Sequence, residues 1–263
     1  MPNRSSVGWT NVRKGPYLRA APSKKSFGAG FTPDGNRSIS SQCGSADVLE
    51  GLGVNIALSP DQMGRAIREV GIGFLFAPAI HPAVKHAQPA SLELRMRTVF
   101  NFLGPLTNPA GATAQLVGAP GENAALLMAD ALAALGLRRG FVVHGSDGLD
   151  EITTTGPTLA LEISDGTVER RRLAPDDFGV PPAKLGDLKG GDRRVNCEIA
   201  GAVLGGARGP QRDIVLANAS AALVAAGKAR DFRHGARLAA ESIDSGAARG
   251  KAEALARFTR QFG

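Results

Sequence analysis

The sequence predicts an α/β fold in which a central, mostly parallel sheet is flanked by helices. Three observations predict it. Between residues 59 and 145, amphipathic helical stretches alternate with short apolar or β-branched runs, the pattern of a sheet whose faces are covered. At 263 residues, with 43% hydrophobic and 21% charged residues, the chain can build the full core of one large domain. From about Gly191 to Phe262 it is mostly Ala-rich helix, which closes that domain.

The elements follow in order. Residues 1–33 are rich in Pro, Gly, Ser, Lys and Arg and hold no sustained period of 2 or 3.6, so a flexible tail is expected there. "SPDQMGRAIREVG" is a marked helix. Ser59 caps it, Pro60 suits its first position, Gln62 completes a capping box and Gly71 ends it. "GFLFAP", Gly73 to Pro78, reads as a buried strand stopped by proline. "HPAVKHAQPASLELR" is a polar connection with a helical turn, and "TVFNFLGPLTNP" is a buried element ending in a rigid turn. "GENAALLMADALAALG", Gly121 to Gly136, is an amphipathic helix, and "RGFVVHG" is the strand after it. "TLALEISDGTVERRRL" is a hairpin around Ser-Asp-Gly, on or beside the main sheet. "QRDIVLANASAALVAAG" and "DFRHGARLAAESIDSGAARGKAEALARF" are the longest C-terminal helical pieces.

Composition narrows the function. The net charge of +7 suits an anionic partner, whether phosphorylated metabolite or nucleic acid. Its excess lies in the N-terminal segment and in "ERRRL", Glu169 to Leu173. Aromatic residues are only 5%, which argues against a base-stacking platform, and nucleic-acid binding is not expected. Cys43 and Cys197 have no metal-type spacing and read as free thiols in a reducing compartment. No apolar run has the ~18–20 residues of a membrane span, nor does the N-terminus carry a signal-peptide core, so a cytoplasmic location is expected.

Three stretches offer chemistry. In "DGNRSISSQCGSADVLEGLG", Gly35, Ser38, Ser40, Ser41, Gly44 and Ser45 supply backbone N–H groups and hydroxyls, and Arg37 adds a cation. Ser45 stands where the helix after this loop needs its cap. Loop amides beside a helix N-terminus form an anion site, because unsatisfied donors and the positive dipole end point outward together. The other reading is an ordinary polar loop. "VVHGSDGLDEITTTG" follows a strand and places Asp147, Asp150 and Glu151 within five positions. Such carboxylates suit Mg²⁺, which takes one or two of them plus substrate phosphates. A solvated acidic turn is the alternative; His144 could ligate a metal, but a single histidine at a strand end is more often structural. "NFLGPLTNP" can wall a flat pocket or be a simple tight turn.

With "GNRSISSQCGSADVLEGLGV", "VGIGFLFAPAIHPAVKHA", "RTVFNFLGPLTNP", "VVHGSDGLDEITTTGPT" and "QRDIVLANASAALV" in one order and spacing, the chain resembles the anthranilate phosphoribosyltransferases over nearly all of Gly35 to Phe262. The resemblance implies a sheet of the nucleoside phosphorylase and phosphoribosyltransferase kind. It implies transfer of phosphoribose from phosphoribosyl pyrophosphate to anthranilate, in tryptophan biosynthesis, with Mg²⁺. By position, Gly35, Asn36, Arg37, Ser38, Ile39, Ser40, Ser41 and Ser45 would contact phosphoribosyl pyrophosphate. Asn36, Gly104 and Pro105 would face anthranilate, and Asp150 and Glu151 would hold Mg²⁺. The resemblance also implies a homodimer whose contact lies largely in an N-terminal helical domain.

The chain departs from the family pattern at three places. The Gly-Thr-Gly-Gly-Asp pyrophosphate loop is not found before Gly35, and the helical domain is expected to be missing. Pro33-Asp34 replaces the usual Lys-His before Gly35, exchanging an attractive charge for a repulsive one. Such a lost contact costs about 1.5–3 kcal/mol, or roughly tenfold to a hundredfold in binding. Ser91 stands where the arginine for the anthranilate carboxylate is expected. Residues 1–34 therefore read as atypical, disordered or frame-altered, residues 35–263 read as the glycosyltransferase α/β domain, and impaired activity is expected. An inactive remnant, a nucleic-acid-binding relative and a nucleoside phosphorylase are the competing readings.

Overall fold

The computed structural model describes residues 11–12, 34–35, 43–76, 79, 106 and 112–263. Strands β1 (Asn11–Val12), β2 (Asp34–Gly35) and β3 (Leu75–Phe76) are two residues each. The longer ones are β4 (Ala114–Gly118), β5 (Arg139–Gly145), β6 (Thr158–Ser164) and β7 (Thr167–Leu173). Helices α1 (Ser45–Gly51) and α2 (Pro60–Glu69) precede β3. Helix α3 (Glu122–Ala134) joins β4 to β5. Then come α4 (Arg193–Leu204), α5 (Pro210–Ala225), α6 (Phe232–Asp244) and α7 (Ala247–Thr259).

The main sheet has the order β1-β4-β5-β6-β7, and β2 and β3 form a separate parallel pair. The main sheet is mixed. β4 and β5 are parallel because α3 carries the chain back over the sheet between them. The β6–β7 hairpin adds antiparallel strands on one side, and β1 pairs antiparallel on the other. The hairpin turns at Asp165 (φ 44°) and Gly166 (φ 89°), successive left-handed residues that match the strand twist.

Both faces of the sheet are covered. On one, Leu116, Phe141, Val143 and Ala160 pack against Ala217, Ala221, Ala222 and Ala225 of α5. Small residues there let the helix lie close to the sheet. On the other, Val117, Val142, Leu161 and Ile163 pack against Ala125, Met128, Ala129 and Leu132 of α3. Central β5 is apolar on both sides for this reason. A smaller core joins α1, α2 and α7 through Ala46, Val54, Ile56, Ala66, Leu255 and Phe258.

Helix α2 forms as its sequence dictates. The Ser59 Oγ accepts from the Gln62 N–H at 3.3 Å, Gln62 Oε1 accepts from the Ser59 N–H at 2.8 Å, and Gly71 follows at φ 86°. The C-terminal helical piece is interrupted: Gly246, at φ 76°, separates α6 from α7. Asn11–Val12 lies inside the segment read as a tail, and β4 was not foreseen. The polar connection beginning at His81 and most of "TVFNFLGPLTNP" lie outside the described residues. Among the described residues no helix is long and apolar enough to cross a membrane.

Candidate active site

The parallel strands β4 and β5 run together to Gly118 and Val143, and β5 continues to Gly145. A loop leaves β5 there and runs from Ser146 to Pro157 before β6. The crevice outside the carboxyl ends of parallel strands is where open α/β sheets bind ligands. The loop closes on itself. The Ser146 N–H donates to the Pro157 carbonyl at 2.9 Å, the Gly145 N–H to the Leu149 carbonyl at 2.8 Å, and the Gly148 N–H to the Gly145 carbonyl at 2.9 Å. Gly148, at φ 87°, permits this tight turn.

Its three carboxylates divide into two roles. Asp147 is turned inward. Its Oδ2 accepts from the hydroxyls of Thr153 at 2.5 Å and Thr155 at 2.6 Å, and its Oδ1 accepts from the Leu149 N–H at 3.1 Å. Both oxygens are thus engaged in folding the loop. Asp150 and Glu151 remain. The Asp150 carbonyl lies so close to Gly118 that a Cβ at 118 would overlap it. Glu151 keeps some exposed surface but lies deep, and burial, then Asp150, then Asp147 push its carboxyl up to about 8. A cation beside Asp150 and Glu151 would relieve that crowding of negative charge, and one or two carboxylates together with substrate phosphate oxygens are the donor set Mg²⁺ prefers. Among the described residues no group of three or more His, Cys, Asp or Glu side chains forms a metal cage.

His144 is structural, as expected: its Nδ1 donates to the Ala119 carbonyl at 2.9 Å and ties the ends of β5 and β4 together. Gly35 belongs to β2, paired with Phe76 of β3. Ser45 is the first residue of α1 rather than its cap. Gly44 takes the cap position, its N–H donating to Asp47 Oδ2 at 2.8 Å while its carbonyl accepts from Asp47 and Val48. A carboxylate two residues beyond Ser45 already satisfies the helix start, so the Ser45 hydroxyl is not needed there. Gly35 and Ser45 thus belong to the two-stranded sheet and α1, not to the sheet carrying the acidic loop. Asn36, Arg37, Ser38, Ile39, Ser40, Ser41, Gly104 and Pro105 lie outside the described residues.

Several residues at this site were not foreseen. Gly118 admits the Asp150 backbone, Thr153 and Thr155 bind Asp147, and Asn218 of α5 bonds the loop at Ile152. An asparagine within the apolar run "IVLANASAAL" was the available signal for the last. Such a residue on a buried face needs partners.

A family model described as "Glycosyl transferase family, a/b domain" matches residues 18–249, beginning ahead of Gly35. An anthranilate phosphoribosyltransferase of Solibacter usitatus is 67% identical over 224 residues, 85% of this chain and 66% of the relative. One of Geobacter sulfurreducens is 51% identical over 236 residues, 90% of this chain and 67% of the relative. The chain therefore spans about two thirds of the length of the curated relatives it matches. Among solved structures, anthranilate phosphoribosyltransferase of Thermus thermophilus superimposes with a TM-score of 0.81 at 43% identity, over 87% of this chain and 68% of that one. The enzyme of Saccharomyces cerevisiae, solved in complex with PRPP and Mg, gives 0.81 at 25% identity, over 88% and 65%. Sequence and fold agree, and the chain belongs to the anthranilate phosphoribosyltransferase family of glycosyl transferases.

Proposed function

We propose that the protein transfers the phosphoribosyl group of phosphoribosyl pyrophosphate to the amine of anthranilate. The bond from ribose C1 to the pyrophosphate oxygen breaks, a bond from C1 to the anthranilate nitrogen forms, and that nitrogen sheds a proton. The products are N-(5-phosphoribosyl)anthranilate and pyrophosphate. The observation that carries this reading is the Asp150–Glu151 pair, left free by the inward Asp147 on a loop at the ends of β4 and β5.

Asp150 and Glu151 would hold Mg²⁺, which when bound offsets the charge developing on the leaving pyrophosphate. Gly35, the run Asn36 to Ser41 and Ser45 would supply amides and hydroxyls to phosphoribosyl pyrophosphate, and Gly104 and Pro105 would wall the anthranilate ring beside Asn36. The transition state resembles an oxocarbenium ion, so these groups act by positioning and by stabilising the leaving group. No strong nucleophile is needed on the protein. Pro33-Asp34 and Ser91 weaken the hold on the two substrates and slow the reaction relative to the family.

Loss of anthranilate fluorescence on mixing with phosphoribosyl pyrophosphate tests the reading, with the Thermus thermophilus relative as reference. Turnover below the reference, stopped by chelation of Mg²⁺ and by Asp150→Ala with Glu151→Ala, is expected. Turnover indifferent to chelation would contradict the role of the loop. No turnover at saturating substrates would assign the chain to the alternative reading, an inactive remnant of the family.

A further inference from the structure

We infer that Asn218, on α5, is a positioning residue that sets the backbone geometry of Glu151 and, through it, the metal-holding pair. The inference rests on the proposal that Asp150 and Glu151 bind the metal. Asn218 is 3% exposed, on the helix face turned to the sheet. Its Oδ1 accepts from the Ile152 N–H at 3.0 Å, and its Nδ2 donates to the Ile152 carbonyl at 2.8 Å. The same Nδ2 donates to the Ile214 carbonyl at 3.0 Å, one turn back on its own helix. Two donor contacts and one acceptor contact fix the orientation of the amide, because a flipped amide would aim NH₂ at an N–H and oxygen at two carbonyls.

The contact lands where it has leverage. The Ile152 N–H belongs to the peptide unit that includes the Glu151 carbonyl, and that unit is planar. Fixing the N–H therefore fixes the plane from which the Glu151 side chain springs. The Ile152 side chain is fully buried, in the cluster containing Phe141, Val143 and Ala221, so residue 152 is held by backbone and side chain alike. One residue before Glu151, the Asp150 carbonyl rests against Gly118. The acidic pair is gripped at both ends, and Asn218 is the only one of these grips made by a polar side chain from another element among the described residues. Asp147, Thr153 and Thr155 tie the loop to itself; Asn218 ties it to the sheet-covering helix.

Mn²⁺ serves as the probe, because its binding is read directly by electron paramagnetic resonance. Asn218→Ala is compared with Ser220→Ala, a change on the same helix at a fully buried hydroxyl that bonds the Phe232 carbonyl and not the loop. Loss of a partner that orients ligands costs about 10- to 100-fold in metal affinity. Asn218→Ala is expected to lose that much and to exchange amide hydrogens of residues 150–153 faster, with far-UV circular dichroism unchanged. Ser220→Ala is expected to keep the affinity of the unaltered protein. Equal Mn²⁺ affinity in folded Asn218→Ala, or an equal loss in Ser220→Ala, would overturn the inference. If Asn218→Ala does not fold, the Ile152 amide of the unaltered protein decides: exchange as slow as in β5 supports the grip, and exchange as fast as in exposed turns refutes it. Unaltered protein that binds no Mn²⁺ would instead refute the metal reading itself, and with it any role of Asn218 toward a metal.

Discussion

At the scale of single residues, the carboxylates of the acidic loop show how one functional group meets two environments within a few positions. Hydroxyl donors hold Asp147 as part of the scaffold, whereas Glu151, buried beside Asp150 and Asp147, keeps its proton up to about 8. An unfolded glutamate ionises near 4.5. Between those two values the unfolded chain releases a proton that the folded chain retains, so metal-free stability falls as pH rises through the interval and levels off above it. Glu151→Gln is expected to remove this slope, measured as urea midpoints across the interval. Equal slopes in the two proteins would contradict the burial of Glu151. The sequence showed the acidic residues and their loop but not this division, because the deciding partners, Thr153 and Thr155, lie several positions away and act only once the loop closes.

At the scale of elements, the site depends on how closely a loop can approach a strand. Gly118 ends β4 with its α-hydrogen against the Asp150 carbonyl, and an added methyl would have to displace the loop. Gly118→Ala is expected to lower stability by about 1–3 kcal/mol, the usual range for overpacking, and to weaken Mn²⁺ binding. A thermal midpoint and Mn²⁺ affinity both matching the unaltered protein would show that the approach is not required. β5, the hairpin and α2 were legible in the sequence, since each carries its own local signals: a β-branched run, an Asp-Gly turn, and a complete capping box. β4 was not. "AQLVG" is short, has a buried glutamine at its second position and lacks alternation, being covered on both faces. The break between α6 and α7 carries its own turn signal in Asp244-Ser245-Gly246, which the alanine-rich pattern on either side outweighed in the sequence reading.

At the scale of the whole molecule, the sheet, the α3 crossover and the C-terminal helices form a frame that brings the acidic loop to the ends of β4 and β5. Arg212 on α5 is 3% exposed and makes paired bonds to Asp244 on α6, at 2.6 and 2.9 Å, which braces the helix that carries Asn218. The overall architecture was readable from the alternation of helices and strands and from five ordered motifs, and the acidic loop from its cluster of carboxylates. The phosphoribosyl run Asn36 to Ser41 and the Gly104-Pro105 wall rest on the resemblance alone. Calorimetric titration with phosphoribosyl pyrophosphate, with and without Mg²⁺, therefore tests the central claim most directly. The account predicts Mg²⁺-dependent binding, weaker than micromolar because of Pro33-Asp34, that disappears in Asp150→Ala with Glu151→Ala. Binding that is the same without Mg²⁺, or that survives loss of both carboxylates, would contradict it.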